Sequence, residues 1–243
     1  MNKLAEIIKN SNKIVFFGGA GVSTESGIPD FRSADGVFNK AMGRTLHAED
    51  MVSHSFYVKY PADFFDFYRK NLIYPDAKPN DCHKALAKLE DMGKLSAVIT
   101  QNIDGLHQMA GSHHVCELHG SVHRNYCTKC GKFYDLDEFL KLGDIPHCTE
   151  CGGLVKPDVV LYEEGLDQAV LADAVHEIST CDTLIVGGTS LVVYPAAGLI
   201  NYFRGKNLIL INLSETSYDG AADLCIYEKI GRVFRETMQE ICG

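Results

Sequence analysis

No apolar run in the sequence reaches the roughly 18–20 residues that a helix needs to cross a lipid bilayer. The start of the chain also lacks the apolar core of a secretory signal peptide, since residues 1–10 are typical of a polar, amphipathic helix. These two absences argue against a membrane protein and against secretion. We therefore expect a cytoplasmic location and no membrane partner.

Positive charge is also in short supply. The chain has 23 Lys and Arg against 32 Asp and Glu, and its formal net charge at pH 7 is −9. Non-specific binding to nucleic acid depends on clustered Lys and Arg side chains. The charge balance therefore predicts no direct nucleic-acid partner, while it is compatible with a cationic peptide.

The cysteines lack the even number that a disulfide framework would use. Four of the nine lie in two Cys-x-x-Cys pairs, and the other five are scattered singly, namely Cys82, Cys116, Cys181, Cys225 and Cys242. A reducing compartment, with free thiols and one metal site, explains this pattern better than disulfide bonds do.

Short apolar runs alternate with segments of helical periodicity along the 243 residues. The pattern predicts strands at 13–17, 97–100, 115–118, 159–162, 183–186 and 207–211, and helices at 81–92, 167–179, 194–203 and 231–241. Strands that are apolar throughout belong to parallel sheets buried on both faces. We therefore predict the α/β class, with a Rossmann-like parallel sheet covered by helices on both faces.

Glycine-rich or polar segments directly follow four of the predicted strands, at 18–32, 101–107, 187–191 and 212–216. Ligands of open parallel sheets bind beside the carboxyl ends of the strands. We therefore expect these four segments to converge on one crevice.

The first of these segments carries Gly19-Ala20-Gly21, where glycines let the backbone turn tightly and approach a pyrophosphate. A plain turn between a strand and a helix explains the same residues. The dehydrogenase pattern is not matched, because Thr24 occupies the third glycine position and the sequence of residues 31–51 lacks the pattern of a second strand that ends in an acidic residue. If a dinucleotide binds, the sequence favours its consumption as a substrate over hydride transfer.

Polar side chains follow the second predicted strand. Gln101, Asn102 and Asp104 suit recognition of a polar ligand, although Asn102 and Asp104 could instead cap the next helix. His119 stands at another strand end, next to Gly120, where it could act as a general base. Because the chain has nine other histidines, a structural role for His119 stays open.

Cysteine spacing gives a more specific signal. Cys127-x-x-Cys130 and Cys148-x-x-Cys151 are 17 residues apart, within the range of zinc ribbons. Four thiolates close the coordination shell of the metal, so we predict one structural zinc ion without a catalytic position. His147, beside Cys148, is an alternative ligand in place of one thiolate.

Taken together, these segments resemble the sirtuin (Sir2) family over nearly the whole chain, in the form of a bacterial-type minimal catalytic core. The resemblance rests on five motifs in order, with the two cysteine pairs between the third and the fourth. The motifs are GAGVSTESGIPDFR (Gly19–Arg32), TQNIDGLH (Thr100–His107), LHG (Leu118–Gly120), GTSL (Gly188–Leu191) and INL (Ile211–Leu213).

The resemblance implies a Rossmann-like NAD-binding domain formed by residues 1–30, 77–120 and 156–243. It also implies a small domain, with a cofactor-binding loop and helical insert at 31–76 and a zinc-ribbon module at 121–155. NAD would bind between them as a co-substrate, and an acyl-lysine peptide or protein would enter the cleft from the other side. The implied enzyme is an NAD-dependent protein deacetylase that releases deacylated lysine, nicotinamide and O-acyl-ADP-ribose.

The resemblance implies roles for individual residues as well. His119 would be the catalytic base, and Asn102 would order the site and its water. The residues in contact with NAD would be Ala20, Thr24, Phe31, Arg32, Gln101, Ile103, Asp104, His119, Thr189, Ser190, Asn212 and Ile230. The zinc ligands would be Cys127, Cys130, Cys148 and Cys151.

The sequence departs from the family pattern in three places. Gly18 stands where a Thr is common. Residues 159–164 read VVLYEE, where many members have two phenylalanines followed by Gly-Glu. The acyl peptide would add as a strand along this edge, and we expect its two glutamates to favour basic residues beside the lysine. Desuccinylating members carry an Arg three residues after a Tyr, whereas Asn71 stands three residues after Tyr68 in this sequence. We therefore expect uncharged acyl groups to be preferred.

Two other functions stay open from the sequence. Mono-ADP-ribosyl transfer shares the NAD chemistry and differs in its acceptor. The second alternative is not an enzyme but a zinc-ribbon binding module. The net negative charge of the chain argues against it. The sequence leaves the oligomeric state open and is compatible with a monomer.

Overall fold

The structure is a computed structural model that describes residues 2–30 and 48–243, so Phe31 and Arg32 lie outside the described part of the chain. The helices are α1 (Lys3–Asn10), α2 (Ala48–Met51), α3 (His54–Lys59), α4 (Pro61–Asn71), α5 (Asp81–Asp91), α6 (Leu106–Ala110), α7 (Leu136–Leu140), α8 (Gln168–Thr180) and α9 (Ile230–Cys242). The strands are β1 (Ile14–Gly18), β2 (Leu95–Thr100), β3 (Val115–Glu117), β4 (Gly120–Cys127), β5 (Phe133–Tyr134), β6 (Val155–Val159), β7 (Thr183–Gly187), β8 (Asn207–Asn212) and β9 (Leu224–Tyr227). Short 3₁₀ helices cover Ala20–Ser26, Ala196–Tyr202 and Asp219–Ala221.

Six strands form one parallel sheet in the order β3-β2-β1-β7-β8-β9. The chain runs outward from β1 to β3 on one side and from β7 to β9 on the other, so the strand order reverses between β1 and β7. Open α/β sheets bind their ligands beside the carboxyl ends of the strands at such a switch point. Gly18 and Gly187 pair there, at the last residues of β1 and β7.

Helices cover both faces of this sheet, because successive side chains of a strand point to opposite sides. On one face, Phe16 packs edge-on against Phe234 of α9 at a ring distance of 6.0 Å, in a layer that α1 and α5 share. On the other face, Phe17 packs in the layer that contains Ile178 of α8. Burial of each such side chain contributes about 1.5–3 kcal/mol, which explains why β1 is apolar throughout. The predicted fold class is confirmed.

A second, antiparallel sheet has the order β5-β4-β6. The aromatic side chains of α3, α4 and α7 form its core, and the Phe64 and Phe65 rings meet edge to face at 5.2 Å. Tyr68 is fully buried against Phe139 in the same core. Residues 56–72 carry aromatic side chains at helical spacing, and this spacing reflects packing within the smaller unit.

Two predictions of local structure are wrong. Residues 159–162 do not form a strand of the parallel sheet, because β6 ends at Val159 and pairs with β4. Only alternate residues of β6 are buried, and such a strand shows no continuous apolar run. Residues 194–203 do not form an α-helix: a cis peptide bond joins Tyr194 and Pro195, and a 3₁₀ helix follows.

The sequence pattern does not predict the strands β4, β5 and β9, because they are short or lack an apolar run. Among the helices of the two described ranges, none is both long and apolar enough to span a bilayer.

Candidate active site

A cleft of about 650 Å³ lies beside the carboxyl ends of the parallel strands and extends to the small sheet. Residues from all four predicted segments line it, the first segment being described as far as Asp30. The expected convergence on one crevice is thus confirmed for these residues. The described residues that the sequence assigns to the nucleotide or to catalysis all line this cleft, namely Ala20, Thr24, Gln101, Asn102, Ile103, Asp104, His119, Thr189, Ser190, Asn212 and Ile230.

Two glycines allow the loops after β1 and β7 to touch. Gly21 N donates to Gly188 O at 2.8 Å. A Cβ on Gly21 would lie 2.7 Å from Gly188 Cα, and one on Gly188 would lie 2.4 Å from the backbone nitrogen of Val22. Gly188 also has φ +60°, a conformation that strains L side chains. No other residue type fits at either position, which leaves bare backbone at the floor of the cleft.

A hydroxyl joins the first two segments. Ser23 Oγ donates to Asp104 Oδ2 at 2.6 Å and accepts from Asn102 Nδ2 at 3.1 Å. Asp104 Oδ1 accepts from Leu106 N, the first residue of α6, whereas the Asn102 amide donates to Ser23; the N-cap position itself is Gly105, which offers no side chain. No role for Ser23 follows from the sequence, because serine in a turn before a helix is a common local pattern.

The side-chain amides of Asn212 and Gln101 connect the segments after β8 and β2 to the segment after β7. Asn212 Oδ1 accepts from Thr189 N, and Asn212 Nδ2 donates to Thr189 O, both at 3.0 Å. Gln101 Nε2 donates to Thr189 Oγ1 at 3.1 Å. Each bond contributes about 0.5–1.5 kcal/mol. Together they align the loops after β2, β7 and β8 around one binding surface.

His119 lies where the large sheet meets the small one, between β3 and β4. Its Nδ1 donates to the Gln101 carbonyl at 3.0 Å, because a carbonyl oxygen only accepts. The neutral ring therefore carries its lone pair on Nε2. Burial lowers the pKa of His119, and the bond to Gln101 O offsets only part of this effect. The result is a neutral imidazole that can accept a proton at Nε2.

The cleft also borders the glutamates that follow β6. Glu163 accepts from both the hydroxyl and the backbone N of Ser55, which lowers its pKa. Glu164 accepts from Lys156 Nζ at 3.2 Å and contacts His54 at 2.8 Å. Glu163 has φ +75°, a backbone conformation that glycine adopts more readily.

A carboxylate that the sequence analysis overlooked helps to place Ile230. Glu25 Oε2 accepts from Gly231 N at 2.6 Å, at the first turn of α9. Ile230 is buried, and its side chain fills the space where Gly187 lacks a Cβ. No sequence signal pairs Glu25 with a residue so far along the chain.

The four cysteines of the two pairs come together beside the small sheet. Their sulfur atoms all lie within 4.8 Å of one another, with Cys127 and Cys151 3.4 Å apart and Cys130 and Cys148 3.6 Å apart. A tetrahedral zinc ion at about 2.3 Å from each sulfur requires separations of this size. The predicted set of four thiolates therefore fits one structural zinc ion.

Hydrogen-bond donors beside two of the sulfurs, those of Cys127 and Cys148, lower the pKa of these thiols and favour the thiolate form that zinc requires. The Tyr134 hydroxyl donates to Cys148, which lowers the pKa of that thiol to about 6. His147 lies outside the four-sulfur group, and its Nδ1 donates to Gly152 O. The alternative with His147 as a ligand is therefore not supported.

The fold and the site define an α/β protein with a dinucleotide-sized cleft, a neutral histidine at the cleft and a four-cysteine zinc module. Comparison with known proteins identifies the family. A family model described as Sir2 family matches residues 19–195. The chain therefore belongs to the Sir2 family, and the resemblance seen in the sequence is confirmed.

Relatives and solved structures match over nearly the whole chain. An NAD-dependent protein deacetylase of Clostridium perfringens is 67% identical over 234 residues, which cover 96% of each protein. One of Staphylococcus aureus is 46% identical and covers 99% of this chain and 98% of that protein. A solved structure described as Sir2 with a p53 peptide and NAD⁺ matches with a TM-score of 0.88 at 39% identity, covering 99% of this chain and 98% of that one.

Proposed function

We propose that this protein is an NAD-dependent protein-lysine deacetylase, which transfers the acyl group of an acyl-lysine side chain to ADP-ribose. Its products are deacylated lysine, nicotinamide and O-acyl-ADP-ribose. The observation that carries the proposal is the partly buried, neutral His119, which lines the cleft that the four strand-end segments form. The activity named for the relatives agrees with it.

NAD fits this cleft. The volume of about 650 Å³ lies within the usual range for ligand sites, and the glycine contact leaves room for a pyrophosphate against the backbone. In our proposal Gln101 contacts the ribose, while Ile103 and Asp104 hold the nicotinamide carboxamide. The loop residues are Ala20 and Thr24, with Phe31 and Arg32 beyond the described ranges. The adenosine half is held by Thr189, Ser190, Asn212 and Ile230.

Bound NAD supplies the electrophilic ribose carbon and nicotinamide as leaving group. His119 accepts a ribose hydroxyl proton at Nε2, which its neutral state allows. Asn102 orders water and substrate, and its own amide is held by Ser23. The acyl oxygen is a weak nucleophile, so positioning and the exclusion of water contribute much of the rate.

We propose acetyl and other uncharged acyl groups as substrates. Asn71 and Leu72 line the cleft, whereas Arg69 donates to the carbonyls of Leu140 and Gly143 and stacks on Phe139. That guanidinium is therefore not available to a succinyl carboxylate, and burying an unpaired carboxylate is costly. Turnover of a succinyl peptide equal to that of an acetyl peptide would contradict this preference.

For the flanking sequence, we propose that basic residues are favoured and that Glu163 contributes most of this preference. Lys156 already offsets the charge of Glu164, while Glu163 is bound by neutral Ser55 groups. The wild-type protein should turn over a Lys-flanked acetyl peptide faster than an Asp-flanked one, and Glu163→Gln should reduce the ratio. Equal turnover of the two peptides by the wild type would refute the proposal.

We further propose a two-part organisation and a cytoplasmic location. The Rossmann-like NAD-binding part comprises 1–30, 77–120 and 156–243, and the small part comprises 31–76 and 121–155. Because β6 pairs with β4 of the small sheet, we move the end of the small part from residue 155 to Val159, so that the large part resumes at residue 160 instead of 156.

The decisive experiment incubates the purified protein with an acetyl-lysine peptide, with and without NAD, and follows nicotinamide release and peptide mass. NAD-dependent loss of the acetyl mass, matched one to one by nicotinamide, is the expected result. Nicotinamide release with an unchanged peptide would point to mono-ADP-ribosyl transfer or NAD hydrolysis. No nicotinamide from acetyl or longer acyl peptides would favour a binding protein on this scaffold.

A further inference from the structure

Away from the cleft, three side chains of different chemistry meet where β3 borders α8. His114 precedes β3, Cys116 lies within it and Asp173 belongs to α8. His114 Nε2 lies 2.8 Å from Asp173 Oδ2, and Cys116 Sγ lies 3.3 Å from the same oxygen. The sulfur and the ring nitrogen are 3.9 Å apart. One nitrogen, one oxygen and one sulfur thus face a common point.

These separations are close to those of a bound metal. A tetrahedral zinc ion at its usual bond lengths of about 2.0–2.3 Å keeps nitrogen, oxygen and sulfur ligand atoms about 3.3–3.6 Å apart. Each observed separation differs from this range by about half an ångström or less. Small side-chain rotations would therefore open a coordination site without a change in the backbone.

The ring of His114 is already oriented as a metal ligand. Its Nδ1 donates to the Ser96 carbonyl at 2.9 Å, the kind of outer contact that fixes the tautomer of metal-binding histidines. The Nε2 lone pair then faces the Asp173 carboxylate, and two acceptor atoms at this distance need a cation between them. A proton fills that role in the metal-free protein, and a metal ion can replace it.

A further carboxylate lies near these three side chains, and the site is accessible from solvent. The Glu177 carboxylate lies on the next turn of α8, where it accepts from Ser96 Oγ at 2.7 Å and pairs with Lys13 at 3.1 Å. The side chains of His114 and Asp173 are 39% and 46% exposed, so an ion can enter from solvent. Cys116 is buried beneath them. The sulfur thus closes the inner side of the site and leaves one position open to water.

We propose that His114, Cys116 and Asp173 form a second metal site, which binds one divalent cation of the zinc class with water as the fourth ligand. Binding replaces the proton between His114 and Asp173 and the thiol proton of Cys116, and both protons pass to solvent. The site is separate from the four-cysteine site, and it does not depend on the proposed deacetylase activity.

The test is a titration of the zinc-loaded protein with Co²⁺. Thiolate-to-cobalt charge-transfer absorption reports binding at Cys116, and elemental analysis reports whether the four-cysteine zinc is retained. The wild type should bind one equivalent of Co²⁺ and keep its zinc. His114→Gln and Asp173→Asn change exposed ligands, and each should weaken Co²⁺ binding by at least about 10-fold. His113→Gln, a change at the neighbouring exposed histidine, should leave binding unchanged.

Three outcomes would overturn the proposal. The first is no charge-transfer band while zinc is retained. The second is a band accompanied by equimolar release of zinc, because cobalt would then occupy the four-cysteine site. The third is binding that survives both His114→Gln and Asp173→Asn.

Discussion

At the scale of single residues, the chemistry depends on where a histidine lies rather than on its presence. His119 is partly buried and donates from Nδ1 to Gln101 O, so its ring is neutral and its Nε2 can accept a proton. His83 and His107 are also buried, with ring centroids 4.7 Å apart, and they lie behind the site rather than on its wall. The same residue type therefore lines the cleft with a proton-accepting nitrogen in one place and packs in the interior in the other.

The first prediction concerns His119→Ala. A positioned base contributes about 10²–10⁴-fold, so the deacetylation rate should fall by that factor while circular dichroism and zinc content stay unchanged. Because burial lowers the pKa of His119 below the usual 6.5, the wild-type rate should fall only as the pH decreases below about 6.5. A pH–rate profile measures this. His113→Ala, at an exposed histidine, serves as the control, and near-normal turnover of His119→Ala would contradict the assignment.

The second prediction concerns the buried pair. Burial lowers the pKa of His83 to about 4 and that of His107 well below 6.5. Between pH 6.5 and about 4, the unfolded chain binds protons that the folded chain does not. The free energy of unfolding should therefore fall as the pH decreases, by up to about 1.4 kcal/mol per pH unit for each histidine. His107→Leu should flatten this dependence in urea unfolding at pH 7 and pH 5. His113→Gln should not, and an unchanged slope in His107→Leu would refute the linkage.

At the scale of elements, the cleft depends on loops that follow parallel strands. The loops after β1 and β7 touch through the backbones of Gly21 and Gly188, and this contact requires glycine at both positions. Hydrogen bonds from Asn212 and Gln101 then align the loops after β8 and β2 with the loop after β7. The strands supply a rigid base, and the loops supply the polar groups.

The third prediction compares two glycines with similar backbone conformations. Gly93 has φ +68° and open space around it, so Gly93→Ala should cost about 1–2 kcal/mol for the backbone conformation alone. Gly188 has φ +60° and faces Val22 N, so Gly188→Ala should cost about 1–3 kcal/mol more and weaken NAD binding. Urea unfolding and NAD titration measure both effects. Equal costs for the two variants would mean that the loop contact is unimportant.

At the scale of the whole molecule, the two sheets share a short connection at the site. His119 lies between β3 of the parallel sheet and β4 of the antiparallel one, and its carbonyl accepts from Val160 N just after β6. The strand β4 runs from this point to Cys127, the first zinc ligand. The strands β4 and β6 therefore connect the four-cysteine module with His119.

The fourth prediction concerns zinc removal. A chelator that strips the zinc should loosen β4 to β6 and abolish deacetylation, while hydrogen exchange in β1 and β7 stays slow, because the parallel sheet has its own core. Cys148→Ser should behave in the same way, and Cys242→Ser, at an exposed cysteine outside the zinc module, is the control. Full activity of the zinc-free protein would contradict this coupling.

Taken by itself, the sequence determined the parallel sheet, the four strand-end segments and the cysteine pairs, because these signals depend on neighbours along the chain. Apolar runs, glycine turns and Cys-x-x-Cys spacing are local patterns, so they can be recognised without knowing which distant residues they contact. Only the tertiary structure decided that Ser23 bonds Asn102 and Asp104, that Glu25 holds α9, and that β6 belongs to the small sheet. The grouping of His114, Cys116 and Asp173 was decided in the same way. These contacts join residues distant in sequence, and packing of the sheets and helices, rather than any local preference, brings them together.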